Sequence, residues 1–431
     1  MLALKRNSAT QGNTSSWAVI TSIASWHLGQ PLAGLGQNAI LLVLACGVLL
    51  AQGCTTAPPR HNPLPQELSS QAQIPGIDGA RYWGDEPPPF ADMVENASAA
   101  QLRERFPALY KKPFTALAIS GGGSKGAFTA GLINGWTAAG TRPKFSVVTG
   151  ISTGALCAPF VFLGSAYDAK LKEVYTEYST KDMVIMRSKW DTIRNDSAAD
   201  TAPLRKLIAK YIDESVMQEI AAEYRKGRFL YISTTNLDAM RPVVWNIGRI
   251  AASGAPGALD LIHDAMLASA SVPVAFPPMM IEVEADGQRY EEMHVDGGIT
   301  RQSFLFSFGI DNKELLGKLK AKGTKAYIIR NSKLQPKWKI IDRNIPAIAG
   351  RSFDSLIRTQ GIYDFYREYT GAMQYGLDFN LVYIPNDFEV ESKEPFDLVY
   401  MNKLYDLGYK MGREGVPWLK APPGVKPVSS R

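Results

Sequence analysis

The sequence predicts an α/β layered domain in which helices cover both faces of a central sheet. Three observations predict it. Uncharged apolar runs of strand length recur, the first being "FTALAIS" (114–120) and "FSVVTG" (145–150). Each is followed by helix-like sequence. Both faces of these runs are apolar, as expected of strands buried between two layers of helices. At 431 residues, 45% hydrophobic and 20% charged, the chain can bury a large core and is not a disordered composition.

Ahead of that domain, no residue from Asn7 to Pro59 is charged, and "AILLVLACGVLL" (39–50) is continuously apolar. Twelve residues fall short of the roughly 20 that span a bilayer. They suit the core of a secretory signal, with "AQGC" ending at Cys54 where cleavage is expected. Ala51 and Gly53 before a cysteine resemble a bacterial lipoprotein signal, in which Cys54 is lipidated and becomes the new N-terminus. Gln52 and the 38 residues before the apolar core are atypical of it. An uncleaved anchor, a plain signal over 1–53 and a spurious extension from a start placed too far upstream are the alternatives. The expected location is the bacterial cell envelope, with a secreted or periplasm-facing protein as second choice. Cys157 is the only cysteine after Cys54, so no internal disulfide is expected, and its place within a helix reads as core packing.

Residues 54–90 carry Pro58, Pro59, Pro63, Pro65, Pro75, Pro87, Pro88 and Pro89, and read as a proline-rich tether. A lead-in over 91–112 precedes the core at 113–331. There "KGAFTAGLINGWTAAG" and "STGALCAPFVFLG" read as the helices after the first two strands. Further helices are expected at 167–178, 203–225 and 258–270. Strands recur at 228–237, 325–331 and 379–385, and "VEADGQRYEEMHVDGG" reads as a hairpin turning at Asp286 and Gly287. Residues 332–420 read as an α/β extension of the same domain and 421–431 as a flexible tail.

The stretch "ALAISGGGSKGAFTAG" (116–131) ends an apolar run in a glycine turn, a shape that holds a phosphate or the oxyanion of a reacting ester. Gly121, Gly123 and Gly126 satisfy G-x-G-x-x-G, but no Asp or Glu stands anywhere from Arg105 to Tyr167 to take a ribose, and no Lys-Ser/Thr pair closes the loop. Nucleotide binding is therefore disfavoured. The next strand ends in "GISTG" (150–154), which fits a nucleophile elbow presenting Ser152, with Gly150 and Gly154 leaving room for the sharp turn. The N–H groups around Gly122 and Gly123 then serve as oxyanion donors. Both turns could also serve packing alone, but their occurrence on successive strands favours the joint reading.

A serine nucleophile needs a base. No histidine follows residue 294, and His263 sits mid-helix in "LDLIHDAML", where a core or surface role suits it better. Asp296 in "HVDGG" ends a strand with Gly297 and Gly298 freeing the turn behind it; an ordinary Asp-Gly turn is the competing account. The set GGGSKGAF, GISTGA and DGG, with "TTNLDAMRPVVWNIG", "ASASVPVAFPP" and "IIRN", resembles the patatin-like phospholipase family over about 113–331. The resemblance implies the catalytic fold shared with cytosolic phospholipase A2 and a lipid acyl-ester hydrolase without histidine. It makes Ser152 the nucleophile, Asp296 the base, and Gly121, Gly122, Gly123 and Lys125 the oxyanion side, with no cofactor or metal and a phospholipid or glycerolipid as substrate. A carboxylate can act as this base where apolar surroundings raise its pKa.

Residues 313–343 carry ten Lys or Arg against Glu314 and Asp342, with Trp338 among them. This is read either as a solvated surface or as a dock for anionic lipid headgroups. No nucleic acid is expected as a partner. A catalytically idle relative that binds lipid or protein at the envelope is the competing function. A serine peptidase is a third, weakened because an aspartate base offers no evident acid for an amine leaving group.

Overall fold

The computed structural model describes residues 59–306 and 309–427; the signal-like segment and Cys54 lie outside the described residues. The strands are β1 (Arg81–Trp83), β2 (Pro113–Ile119), β3 (Val147–Ile151), β4 (Ile185–Met186), β5 (Ala199–Asp200), β6 (Phe229–Asn236), β7 (Arg241–Asn246), β8 (Met279–Ala285), β9 (Gln288–Asp296), β10 (Lys322–Arg330) and β11 (Asp378–Tyr383). Nine form one sheet in the order β1-β7-β6-β3-β2-β10-β11, with β9 laid along the end of β6 and β8 beside β9. Strands β6, β3, β2, β10 and β11 run parallel.

The two apolar faces read from the sequence are both used. Leu117 and Ile119 of β2 pack into one cluster with the helices Gly126–Ala138 and Thr153–Leu163, whereas Ala116 and Ala118 face a second cluster with Phe365, Tyr369 and Ala372 of the long helix Ile345–Tyr375. This alternation is the period-2 geometry of a strand between two helical layers. On the first face the helix Gly126–Ala138 lies directly against Leu398–Glu414, and a Cβ at Gly131 or Gly135 would strike the carbonyl of Tyr405 or Tyr409. Gly408 and Gly412 answer them from the other helix. The hairpin turns at Asp286 and Gly287, both at positive φ (48° and 68°), as a two-residue connection between right-twisted strands requires.

Four sequence expectations need correction. Residues 63–90 are not a free tether: Ala72, Ile74, Ile77 and Ala80 are core residues, β1 pairs antiparallel with β7, and Arg81 enters a buried ion pair with Glu292. The prolines forbid helix but leave the segment free to run along the domain as coil and edge strand. The helix expected at 203–225 is two, Ala202–Tyr211 and Glu214–Arg225, because Asp213 caps the second by accepting from the Val216 N–H. The tail is docked at its start, where Ala421 is buried and the Tyr366 hydroxyl donates to the Pro423 carbonyl. The basic stretch 313–343 is not one face. Strand β10 carries the chain about 30 Å from Lys322 to Arg330, so Lys313–Lys325 and Lys333–Arg343 lie at opposite ends, and Arg330 between them is buried.

Candidate active site

The register of β6 explains how two distant segments meet. Strand β3 runs parallel along one edge of β6 and ends with Ile151 opposite Ser233. The next residue on that edge, Thr234, is paired with Asp296, the last residue of β9, which approaches antiparallel from the other direction. Two strands thus run head to head along a shared neighbour, and Ser152 and Asp296 stand where they collide. The Ser152 hydroxyl thereby lies beside the Asp296 carboxylate, near enough to favour its ionised form.

Ser152 sits at φ 56°, ψ −126°, a conformation that strains any residue with a side chain, and the helix Thr153–Leu163 begins immediately behind it. The turn is possible because a Cβ at Gly154 would collide with the Ile119 carbonyl and one at Gly150 with the Gly154 carbonyl. Its backbone is pinned by a relay: the Ser152 N–H donates to Ser269 Oγ (2.9 Å), which donates to the Ser233 carbonyl (2.7 Å). Facing it, Gly123 takes φ 57° and opens a short 3-10 turn continuous with the helix Gly126–Ala138. N–H groups at such a helix start have no acceptor within the helix, so the loop offers donors to an anion. Asn331 locks the loop from behind: its N–H and Nδ2 donate to the hydroxyl and carbonyl of Ser120 (2.9 Å each), and its Oδ1 accepts from Thr129 (2.7 Å). Gly121 lies against Ser152 and Gln302, and its N–H makes a long 3.4 Å bond to the Gln302 carbonyl. Lys125 as a whole residue is solvent-exposed, yet crowding around its ammonium desolvates it and holds the pKa below the ordinary lysine value, with Asp354 opposing and Arg330 adding to the shift.

Asp296 is 4% exposed, and burial raises its pKa to about 7, against the opposing pull of the nearby Ser152 hydroxyl and of the hydrogen bond from the Gly298 N–H (2.7 Å). The carboxyl group is therefore poised where a proton acceptor operates near neutral pH. Gly297 lets this turn lie on the Ser233 carbonyl, and Gly298 supplies the N–H. The histidines are engaged elsewhere. His263 Nε2 bonds to the Ile212 carbonyl (2.7 Å). His294 is fully buried with Nδ1 on Thr234 (2.9 Å) and Nε2 on Glu292 (3.0 Å), and Glu292 is in turn held bidentately by Arg81 (2.7 and 2.9 Å). Burial keeps His294 below the usual histidine range, so it stands as a neutral link. Cys157 is buried beside Tyr175 (3.3 Å), its thiol pushed up to about 12, and is a packing residue.

An apolar pocket opens from Ser152 and Gly123. Leu156, Phe160, Leu207, Ile208, Met266 and Phe276 are among its walls. Leu204, Leu207, Ile208 and Tyr211 reach it from the helix Ala202–Tyr211 and Met266 from the helix Ala258–Ser269, neither of which sequence reasoning had assigned to the site. Val274, between the pocket residues Val272 and Phe276, holds φ 70°, costly for a β-branched side chain. Ser269, Asn331 and Gln302 were also missed as positioning residues. Ser269 and Asn331 stand inside the quoted stretches "ASASVPVAFPP" and "IIRN", so the signal was present without an assigned role.

The family described as patatin-like phospholipase matches residues 117–306, from within β2 past the Asp296 turn. Those residues are a patatin-like phospholipase domain. The patatin-like domain thus includes Ser152, Asp296 and the glycine loop, while Asn331 falls outside the matched span. A phospholipase of Escherichia coli described as cUMP-AMP-activated is 29% identical over 190 residues, which is 42% of this chain and 53% of that one. The chain spans about half the length of that curated relative. Among solved structures, VipD from Legionella pneumophila is 12% identical with a TM-score of 0.36, covering 71% of this chain and 66% of its own. Human GIVD cytosolic phospholipase A2 is 10% identical with a TM-score of 0.28, covering 74% and 55%.

Proposed function

We propose that this patatin-like protein hydrolyses acyl esters of lipids through a Ser152–Asp296 dyad. The observation that carries the reading is a strained serine beside a buried carboxylate of raised pKa, with an apolar pocket opening from the serine. In the reaction, Asp296 takes the Ser152 proton as Oγ attacks the ester carbonyl carbon. Negative charge then builds on the carbonyl oxygen, where the N–H groups of Gly122 and Gly123 receive it. Collapse expels the alcohol, which regains the proton from Asp296, and leaves an acyl-serine. A water gives its proton to Asp296, attacks the acyl carbon and releases the fatty acid, restoring Ser152. The pocket takes the acyl chain, because its walls offer almost no hydrogen-bonding group.

The test is release of fatty acid from a panel of phospholipids and neutral glycerides, followed by mass spectrometry, with Ser152→Ala as control. An idle relative that only binds lipid would release none and would not react with a fluorophosphonate. Anchoring through Cys54 belongs to the same reading: labelling by a palmitate analogue in a bacterial host should vanish in Cys54→Ala, and persistence of the label would remove the anchor from the account.

A further inference from the structure

Sixteen large hydrophobic side chains stand exposed among the described residues, and six of them, Trp338, Ile340, Ile345, Ile348, Phe353 and Leu356, fall between residues 338 and 356. Trp338 is 90% exposed, Ile340 85% and Ile345 84%. Scattered exposed apolar residues need no explanation, but a dense group does. Cations are interleaved with these side chains at Lys337, Lys339, Arg343 and Arg351, against Asp342 and Asp354. Lys337 reaches Glu391 and Arg351 the Lys337 carbonyl, so the segment is held in shape while Lys339 and Arg343 face solvent.

Charge complementarity identifies the occupant. An indole and aliphatic side chains ringed by ammonium and guanidinium groups fit the boundary of a bilayer, where the apolar groups enter the headgroup layer and the cations meet lipid phosphates. The same helix reaches the site. From Ile345–Tyr375, Gln360 donates to the Ile299 carbonyl (3.1 Å), Asp364 accepts from the Gln302 N–H (2.5 Å) and Glu368 from the Leu305 N–H (3.0 Å), all in the loop behind Asp296. A membrane at 338–356 therefore lies against the element that carries the catalytic loop.

We propose that residues 337–356 form a docking face for anionic bilayers, with Trp338, Ile340 and Ile345 entering the headgroup layer and Lys339 and Arg343 pairing with lipid phosphates. The inference rests on the lipid-hydrolase reading for its biological sense, but docking is measured without turnover, so the two fail separately. Tryptophan emission of the full chain and of Trp338→Phe would be compared with phosphatidylcholine vesicles, with and without phosphatidylglycerol. The difference spectrum isolates Trp338 whatever the N-terminal segment does. The expected result is a blue shift of the Trp338 component with anionic vesicles, quenched by brominated lipid and reversed by salt. Lys339→Gln with Arg343→Gln should weaken partitioning roughly thirtyfold at low salt, from about 1 kcal/mol per basic residue, while turnover of a soluble ester stays unchanged. An unshifted or unquenched Trp338 component overturns the proposal. So does a shift that grows with protein concentration in the absence of vesicles, which would assign the face to a second copy. A component already shifted in dilute, vesicle-free protein overturns it as well, because another part of this chain would then cover the face.

Discussion

Replacing Asp296 with Asn should lower activity steeply and stabilise the fold, and the two effects share one cause. The wild-type carboxyl is held at about 7 against an ordinary aspartate value of 3.8, mainly by burial. A folded pKa above the unfolded one means that the native chain binds the extra proton between about pH 4 and 7. Wild-type stability therefore falls as pH rises through that window. A shift of about 3 units at 1.36 kcal/mol each sets an upper bound of about 4 kcal/mol above pH 8. The substituted amide would keep an acceptor for the Gly298 N–H without the buried charge. We expect Asp296→Asn to match wild type near pH 4 and to exceed it by about 2–4 kcal/mol at pH 8, read as the difference between urea unfolding curves across pH. The same substitution removes the proton acceptor and should cost about 10² to 10⁴-fold in turnover of a soluble ester. Wild-type kcat/KM should rise with pH through about 7. A stability difference that is independent of pH, or that favours wild type at pH 8, would refute the argument that burial raises this carboxyl.

The histidines supply the contrast: His263→Ala and His294→Ala should stay within about tenfold of wild-type turnover per folded molecule, and a folded variant as inactive as Asp296→Asn would require a histidine base. Arg81→Met should destabilise by about 3–5 kcal/mol in urea unfolding, because Glu292, at 1% exposure, loses its bidentate partner; a change under about 1 kcal/mol would show that the pair does not hold the segment 63–90 to the domain. Leu207→Trp should fill the pocket, lowering turnover of long-chain esters about tenfold or more while sparing short ones; equal loss on both would place the acyl chain elsewhere.

The site was more legible than its surroundings because its geometry is dictated locally. Gly150, Ser152 and Gly154 satisfy a steric requirement within five residues, and the Asp286–Gly287 turn is chosen by backbone sign alone. The meeting of Ser152 with Asp296 is different, since it depends on where β3 stops along β6 and on β9 continuing the same edge. That register is a long-range pairing no short pattern encodes. Packing choices were hidden for the same reason: Gly131 and Gly135 acquire meaning only once Gly408 and Gly412 arrive opposite. The segment 63–90 was misread because prolines were weighed above Ile74 and Ile77, although coil can bury apolar side chains as well as helix can. The basic run 313–343 was counted along the chain, but β10 carries its two halves to opposite ends of the sheet. What survives at the far end is the mixed cationic and apolar group around Trp338.

The measurement that bears most directly on the central claim is fatty-acid release from phospholipid vesicles by the wild-type chain and by Ser152→Ala at equal folded concentration. The account predicts fatty acid from wild type and none above background from Ser152→Ala, with loss of fluorophosphonate labelling in the same variant. Release that persists in folded Ser152→Ala would contradict it.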